Sequence, residues 1–246
     1  SLNILQIIPS LQSGGAERGC LEIADGLSSS GYRNHIITEH VASSVIVPDM
    51  TEIHTIPVAS KNPFRLLHNA TTIQKLVKKH QIDLVHVRSR APAWSTQLAK
   101  AKMNIPVLST CHGCYRVPNR IKHWYNRSIT TYPDHIIAPS NFVIDYLKQH
   151  YPTSLTKTTV INRGVDLDLF DQNNVCSSKQ SKLITALDLD PNKPILFIPA
   201  RYSKFKGQSN VITALSLLQD RSVQTVFCGK KQDNAYFSLL QKQVRY

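Results

Sequence analysis

The sequence is poor in several features that define whole classes of protein. It has 246 residues, and none of its apolar runs approaches the length of about 18 residues that identifies a membrane-spanning helix. Acidic residues are scarce, with 16 Asp and Glu against 29 Lys and Arg. The five cysteines are odd in number and widely scattered, which argues against a disulfide framework. We therefore expect reduced thiols and a cytoplasmic location.

The shortage of acidic residues gives a formal net charge of +13, which calls for an anionic partner. Three kinds fit this charge: nucleic acid, an anionic membrane surface and a phosphorylated substrate. The excess is spread over both halves of the chain, so the charge alone does not choose among them. An apolar share of 41% is ordinary for a globular protein and predicts a buried core.

What the chain does contain is a regular alternation of short apolar runs and amphipathic stretches. Strands are predicted at residues 3–8, 35–38, 53–56, 83–87, 106–110, 135–138 and 158–161, and helices at 16–29, 63–80, 92–103, 121–131 and 141–151. Continuous apolar strands that alternate with helices predict a doubly wound parallel sheet, covered on both faces. In such α/β sheets ligands bind at the carboxyl ends of the strands.

A polar stretch, residues 171–182, has no strand signal and is interpreted as a linker or surface loop. It suggests two domains, 1–172 and 173–246. The second contains only two predicted strands, 195–199 and 224–228, with helices at 209–218 and 234–244. Two strands and two helices cannot cover both faces of a doubly wound sheet, so we expect an incomplete second Rossmann-like domain.

A basic turn, residues 199–208, lies between a predicted strand and a predicted helix. Arg201 and Lys206 in this turn, together with the positive end of the helix, could bind a diphosphate. The alternative is a solvated basic loop. The loop after the first strand contains Gly14 and Gly15, which would let backbone N–H groups approach a ligand. It lacks the G-x-G-x-x-G fingerprint, and a simple Gly-Gly turn is the alternative.

Two further loops follow predicted strands. One contains His112 between Cys111 and Cys114, and we expect no metal there because no second ligand pair with suitable spacing exists. A lone histidine is most often structural, but this one follows a strand, where reacting groups are expected. The other contains Arg88 and Arg90, which either line the ligand-facing rim or belong to a solvated loop.

Residues 116–132 carry cationic and aromatic side chains and no acidic ones. Such a stretch suits an anionic membrane interface. The alternative is a helix that packs Trp124 inward and exposes its cations to water. We favour the membrane because it agrees with the net charge.

Several segments occur in an order that resembles one family. They are Gly14-Gly15-Ala16-Glu17-Arg18, His112-Gly113, residues 87–94, 138–142 and 160–166, and the turn from Arg201 to Gly207. Together they resemble retaining glycosyltransferases of the GT-B fold, family 4, such as those that build lipopolysaccharide and other surface glycans. The expected fold is therefore α/β and GT-B-like, with two Rossmann-like domains facing a cleft.

The resemblance also implies roles for residues. Arg201 and Lys206 would bind the donor diphosphate of a nucleotide-sugar, Gly14 and Gly15 would approach the phosphate or the acceptor, and His112 would be catalytic, near the anomeric carbon. No metal or other cofactor is expected. Acceptor-side or rim candidates in the matching segments are Glu17, Arg88, Arg90, Asn162 and Gly164.

The implied function is transfer of a sugar from a nucleotide-sugar to a lipid-linked glycan or lipopolysaccharide acceptor, at the inner face of a membrane. The family's E-x7-E element is absent, and Ala200 replaces a glycine common in the family. A chain truncated in its C-terminal domain is therefore expected. The alternatives are an inactive remnant, or half of a split enzyme completed in trans. A nucleic-acid-binding protein is disfavoured, since no recognition motif appears.

Overall fold

The computed structural model describes residues 2–12, 14–218 and 222–244. The chain divides into two compact units, Ser1–Gly164 and Val165–Tyr246. The boundary lies eight residues before the one expected at residue 172. Residues up to 163 are bonded to the first unit, whereas the residues that follow bond to one another: the N–H of Phe170 donates to the Asp166 carbonyl, and Asn174 Nδ2 donates to the Asp168 carbonyl. The N–H of Ile161 donates to the carbonyl of Ala138, and the guanidinium of Arg163 contacts His112.

The first unit is built on a parallel sheet of seven strands. The strands are β1 (Asn3–Ile7), β2 (Arg33–Thr38), β3 (Thr51–Thr55), β4 (Leu84–Val87), β5 (Val107–Thr110), β6 (His135–Ala138) and β7 (Thr158–Val160). Their order across the sheet is β3-β2-β1-β4-β5-β6-β7, and every pairing is parallel. The doubly wound parallel sheet predicted from the sequence is confirmed.

Five helices connect these strands: α1 (Gly15–Ser29), α2 (Pro63–Lys79), α3 (Arg90–Lys100), α4 (Arg120–Thr130) and α5 (Asn141–His150). A 3-10 helix, Pro152–Lys157, precedes β7. Asparagine side chains begin two of the helices, since Asn62 accepts from the N–H groups of Phe64 and Arg65, and Asn119 accepts from that of Lys122. All five helices correspond to predicted stretches.

The core lies on both faces of this sheet. On one face Leu5, Ile7, Val85 and Val87 from the central strands pack with Ile73 of α2. The other face is packed by a second group of buried residues: Ile8, Leu11, Cys20, Ala24 and Ile36. Successive residues of β1 and β4 are buried whichever face they point to, so both strands are covered from both sides. A rigid sheet of this kind fixes the positions of the loops at its carboxyl edge.

The second unit contains two parallel strands, β8 (Ile195–Pro199) and β9 (Gln224–Cys228). Its helices are α6 (Ser177–Ala186), α7 (Gln208–Ser216) and α8 (Asn234–Val244), with 3-10 helices at Gln172–Asn174 and Lys204–Lys206. The expectation that residues 171–182 form only a linker or loop is wrong, because α6 begins within them. That helix is almost wholly exposed and rich in Ser and Lys, so it lacks the apolar stripe by which a helix is recognised.

Candidate functional site

The order of the strands identifies the position on this sheet at which ligands bind in α/β proteins. β1 lies between β2 and β4, so the chain crosses over in opposite directions on its two sides. The loops that follow β1 and β4 therefore part at the carboxyl edge, at the topological switch point. The first of these loops leads to Gly14 and Gly15, and the second contains Arg88. His112 follows β5, the next strand along the edge.

The amino end of α1 is occupied by side chains of the protein itself. Gly14 is the N-cap residue, and the Glu17 carboxylate lies so close that a Cβ atom on Gly14 would overlap it. A carboxylate at this place complements the positive end of the helix. Gly15 makes room for Arg163, whose Nη1 would be 3.3 Å from a Cβ atom there and donates to the Gly15 carbonyl. The same guanidinium reaches His112.

His112 is a neutral imidazole held next to a cation. Arg163 Nη2 lies 2.9 Å from His112 Nδ1, and because a guanidinium only donates, Nδ1 must accept and the ring proton must lie on Nε2. Burial lowers the pKa of His112 to about 4, helped by the positive charges of Arg88 and Arg163. Nε2 is buried and has no hydrogen-bond partner among the described residues. The imidazole is therefore a fixed donor without an acceptor.

Arg88 is buried, so it does not belong to a solvated loop, which is one of the two placements that the sequence allows. Only 4% of the residue is exposed, and its Nη2 donates to Gln6 Oε1 at 2.5 Å and to His86 Nδ1 at 3.3 Å. His86 Nε2 in turn contacts Thr110 Oγ1 at 2.8 Å. Burial lowers the pKa of Arg88, and no ion pair to it is found within the described ranges. Its charge is stabilised by neutral acceptors and is available to attract an anion.

Arg90 is engaged in packing rather than free to meet a ligand. Its Nη1 donates to Asn126 Oδ1 at 2.9 Å, and its guanidinium carbon lies 4.5 Å from the centre of the Tyr115 ring and 5.6 Å from that of Tyr125. Such stacking fixes a planar cation between aromatic faces. The arginine therefore joins α3 to α4. Asn162 and Gly164, by contrast, are exposed on the segment that follows β7.

In the second unit, Arg201 and Lys206 are both exposed on the segment that joins β8 to α7. Hydrogen bonds from two side chains hold this segment in place. Gln208 is fully buried and donates to the Arg201 carbonyl at 2.9 Å, and Tyr202 donates to the Phe227 carbonyl at 2.9 Å. Gly207, with a φ of 71°, has a left-handed backbone and leads into α7. The two cations thus project from a rigid turn.

Comparison with known proteins identifies the family. Residues 13–169 match the model of Glycosyltransferase Family 4. The chain belongs to this family. A glycosyltransferase from Rickettsia africae ESF-5 is 34% identical, with a TM-score of 0.84, and the match covers 99% of this chain and 65% of that one. Anabaena HepE, solved with UDP and glucose, is 20% identical with a TM-score of 0.80, covering 100% and 66%. Spore coat protein SA of Bacillus subtilis is 26% identical over 159 residues, 63% of this chain and 42% of its own.

The fold of this Glycosyltransferase Family 4 member is α/β and GT-B-like, as the resemblance implied. The chain spans about two thirds of the length of the solved structures and 42% of the curated relative. No helix within the described residues is long and apolar enough to cross a bilayer.

Sequence reasoning missed the residues that fix the site. Arg163 lies between Asn162 and Gly164 in a segment that was recognised, but nothing in the sequence indicated that its guanidinium would reach His112, 51 positions away. Gln6 was assigned only to a buried strand. A polar residue inside an apolar strand is the one signal that could have singled it out, since a buried amide needs partners.

The Cys111-x-x-Cys114 pair has the character expected of incidental thiols. Both side chains are free, Cys111 is buried and Cys114 is exposed. Burial raises the pKa of Cys111 to about 12, although the thiol also contacts the Gly113 carbonyl. A thiol that resists ionisation is a poor nucleophile and a poor metal ligand at neutral pH. The pair therefore adds no chemistry beside His112.

The basic and aromatic stretch at residues 116–132 contains α4, which is packed on one side only. Trp124 is 51% exposed, yet its ring centre lies 4.4 Å from that of Trp94. Ile121 is exposed on the same helix, near the exposed cations Arg120 and Lys122. The helix is packed through one side and presents apolar and cationic side chains on the other.

Proposed function

We propose that the protein is a glycosyltransferase that moves a sugar from a nucleotide-sugar donor to a lipid-linked glycan or lipopolysaccharide acceptor, with retention at the anomeric carbon. The single observation that carries the proposal is the family match over residues 13–169, which includes the segments of Gly14, His112 and Arg163. The UDP and glucose bound to HepE support the donor class. The acceptor and the stereochemistry rest on the resemblance of the sequence alone.

Leaving-group stabilisation is assigned to Arg201 and Lys206. Cleavage of the bond between sugar and phosphate leaves negative charge on the nucleoside diphosphate, and preorganised cations lower the barrier to that step. The turn that carries them is fixed by Gln208 and Tyr202, so little reorganisation is needed. In the first turn of α7, the N–H of Ser209 already bonds the Tyr236 hydroxyl at 3.1 Å. Arg201 and Lys206 therefore supply most of the positive charge that meets the diphosphate.

His112 is proposed to orient the sugar. Its Nε2–H lacks an acceptor within the described residues and can donate to a sugar oxygen or to the departing phosphate oxygen. Because Arg163 fixes Nδ1 as an acceptor, the imidazole keeps the required tautomer. We further propose that no metal is needed for transfer, since the cationic side chains supply the charge that a divalent ion would provide.

Donor binding is tested by calorimetric titration with UDP, GDP and their sugars, alongside an assay of donor hydrolysis. Arg201→Ala is expected to weaken diphosphate binding by about 1.5–3 kcal/mol, the scale of a charge-assisted hydrogen bond. Lys182→Ala removes the same charge from an exposed position of α6 and should leave binding unchanged. Equal effects of the two variants would indicate that only net charge matters and would refute the assigned site.

The role of His112 is tested by separating binding from turnover. His112→Ala should lower kcat by about 10²-fold or more, while the affinity for free UDP changes little, because the imidazole acts on the reacting part of the donor. His68→Ala is the matched control, since His68 is exposed on α2. Turnover should persist in EDTA. A variant whose only defect is in UDP affinity would contradict the proposal.

A membrane contact is proposed for the exposed side of α4, on the cytoplasmic face. Ile121 and Trp124 would enter the interface, and Arg120 and Lys122 would meet anionic headgroups. The protein is expected to sediment with vesicles of phosphatidylglycerol and phosphatidylethanolamine at low salt, and not with phosphatidylcholine vesicles. Replacement of both basic residues by Gln should abolish this sedimentation. Unchanged binding would exclude α4 as the contact.

A further inference from the structure

A second group of polar side chains lies at the opposite, amino edge of the sheet. His35 lies near the start of β2, Glu52 and His54 lie on the adjacent β3, and His80 caps the end of α2. These four residues, here called the histidine–glutamate cluster, are contributed by three consecutive elements of the first unit. His112 and Gly15 lie at the carboxyl edge and follow other strands of the sheet, β5 and β1. The cluster is thus separate from the site proposed for sugar transfer.

Distances within the cluster match those between the ligands of one metal ion. His35 Nδ1 lies 3.2 Å from His54 Nε2 and 3.6 Å from Glu52 Oε2, and His80 Nδ1 lies 3.7 Å from Glu52 Oε2. One ligand atom from each of the four residues falls within 4.8 Å of all the others. With bonds of about 2.0–2.1 Å, the ligands of a tetrahedral zinc ion lie about 3.3–3.4 Å apart. Small side-chain adjustments would complete such a site.

The three imidazole rings of the cluster pack against one another. Their centres lie 4.4–5.4 Å apart. His80 Nε2 is buried without a hydrogen-bond partner in the part of the chain that the structure describes. Several imidazole nitrogens thus converge with few protein partners, and a cation with open coordination positions would use their lone pairs.

We propose that the histidine–glutamate cluster binds a divalent transition-metal ion, with Zn²⁺ as the ion that three imidazoles and one carboxylate suit best. The Glu52 side chain is 54% exposed at the opening of a cavity of about 630 Å³, which provides a route from solvent. Arg33 and Lys79 also line this cavity, and their charges reduce the affinity for a cation. We therefore expect weaker binding than in a four-cysteine site.

The metal would have a structural role. It would link the end of α2 to β2 and β3, which are already hydrogen-bonded to each other in the sheet. An ion that binds the folded state and not the unfolded chain raises the temperature of unfolding in proportion to its affinity and concentration. Because the cluster lies away from the carboxyl edge, occupancy should change stability more than nucleotide binding.

The test uses the full chain after alkylation of its exposed thiols, those of Cys114, Cys176 and Cys228, with iodoacetamide, so that they do not bind the metal. Calorimetry with Zn²⁺ is expected to give one saturable site, and Co²⁺ should give the visible absorption of tetrahedral nitrogen and oxygen coordination. Glu52→Gln should weaken Zn²⁺ binding at least 10-fold, and His54→Gln should abolish it. His68→Gln removes an exposed histidine outside the cluster and should bind as the wild type does.

Thermal unfolding provides the second readout. Zn²⁺ should raise the unfolding midpoint of the wild type and of His68→Gln by several degrees, and that of Glu52→Gln by much less. Because Glu52 is half-exposed, its variant should fold, and circular dichroism without metal checks this. The proposal is overturned if the wild type shows no saturable site, or if the Glu52 and His54 variants bind Zn²⁺ as tightly as His68→Gln.

Discussion

Two glycines of this protein are expected to respond in opposite directions to the same substitution. Gly229 follows β9, where its backbone approaches Ala200 so closely that a Cβ atom would lie 2.6 Å from the Ala200 carbonyl carbon and 2.9 Å from the N of Arg201. Gly26 lies in α1, and a Cβ atom there would meet nothing within 4 Å. Neither glycine has a left-handed backbone, so only the space around the added methyl group differs.

The size of each change in the free energy of unfolding follows from the surroundings of the glycine. At Gly229 the neighbours are backbone atoms of β8 and its turn, which cannot rotate away, so Gly229→Ala must displace the start of the Arg201 turn. Overpacking of this kind costs about 1–3 kcal/mol. At Gly26 the methyl group is unopposed, and alanine loses less conformational entropy in a helix. Gly26→Ala should therefore stabilise the protein by about 0.5–1 kcal/mol.

Urea denaturation shows which of the two compact units each substitution affects. Both tryptophans, Trp94 and Trp124, lie in the first unit, so fluorescence follows that unit, while far-ultraviolet circular dichroism follows both. Gly26→Ala should move the fluorescence transition to higher urea. Gly229→Ala should make the second unit unfold at lower urea. This change should appear in the dichroism transition and not in the fluorescence transition.

A functional readout accompanies the second variant, because a displaced turn also displaces Arg201. Gly229→Ala should weaken UDP binding, and Gly26→Ala should not. The reasoning fails if Gly229→Ala unfolds at the urea concentration of the wild type, or if Gly26→Ala is the less stable of the two. The first result would mean that the close approach of Ala200 and Gly229 does not exist in solution, and the second that the space around Gly26 is not open.

Three further outcomes are expected. The pKa of His112 falls from 6.5 to about 4 on folding, so between these pH values the unfolded chain binds a proton that the folded chain does not. The free energy of unfolding should therefore decrease as pH falls from 6.5 to 4, by up to about 1.4 kcal/mol per pH unit. His112→Gln should flatten this slope in acid titrations. Iodoacetamide should modify Cys176 first, because it is exposed with a lowered pKa, and should spare buried Cys111, as peptide mass spectrometry would record. A hydrophobic dye should bind the second unit, and Phe197→Thr should reduce its fluorescence while Gln180→Thr, on exposed α6, should not.

The exposed apolar surface of the second unit lies mainly on β8. β9 is half-buried and β8 is the more exposed strand, with 55% of Phe197 accessible. Both strands are apolar, and apolar composition does not tell which of them the helices cover. That choice depends on packing between α7 and α8, through contacts such as Ser209 Oγ to Gln243 Oε1 at 2.9 Å.

The fold was more predictable than the site for a physical reason. Strands and helices of the first unit follow from periodic burial, a property of neighbouring residues, and all seven strands were found at their predicted places. The surroundings of Arg88 depend instead on Gln6, 82 positions away. Arginine is rarely buried, so a rim position was the natural expectation. Only the three-dimensional structure brings the neutral acceptors Gln6 and His86 to it.

Gln6 and His86 explain how the carboxyl edge of the sheet can keep a positive charge that attracts an anion. A buried guanidinium beside a carboxylate would be neutralised and would attract nothing further. Arg88 is paired instead with an amide and an imidazole, which accept from its Nη2 and carry no negative charge, and its Nε has no hydrogen-bond partner among the described residues. Burial, together with the positive charges of Arg88 and Arg163, lowers the pKa of His112 and keeps the imidazole neutral. The same arrangement thus provides a positive field for an anionic ligand and a histidine that can donate one hydrogen bond without carrying charge of its own.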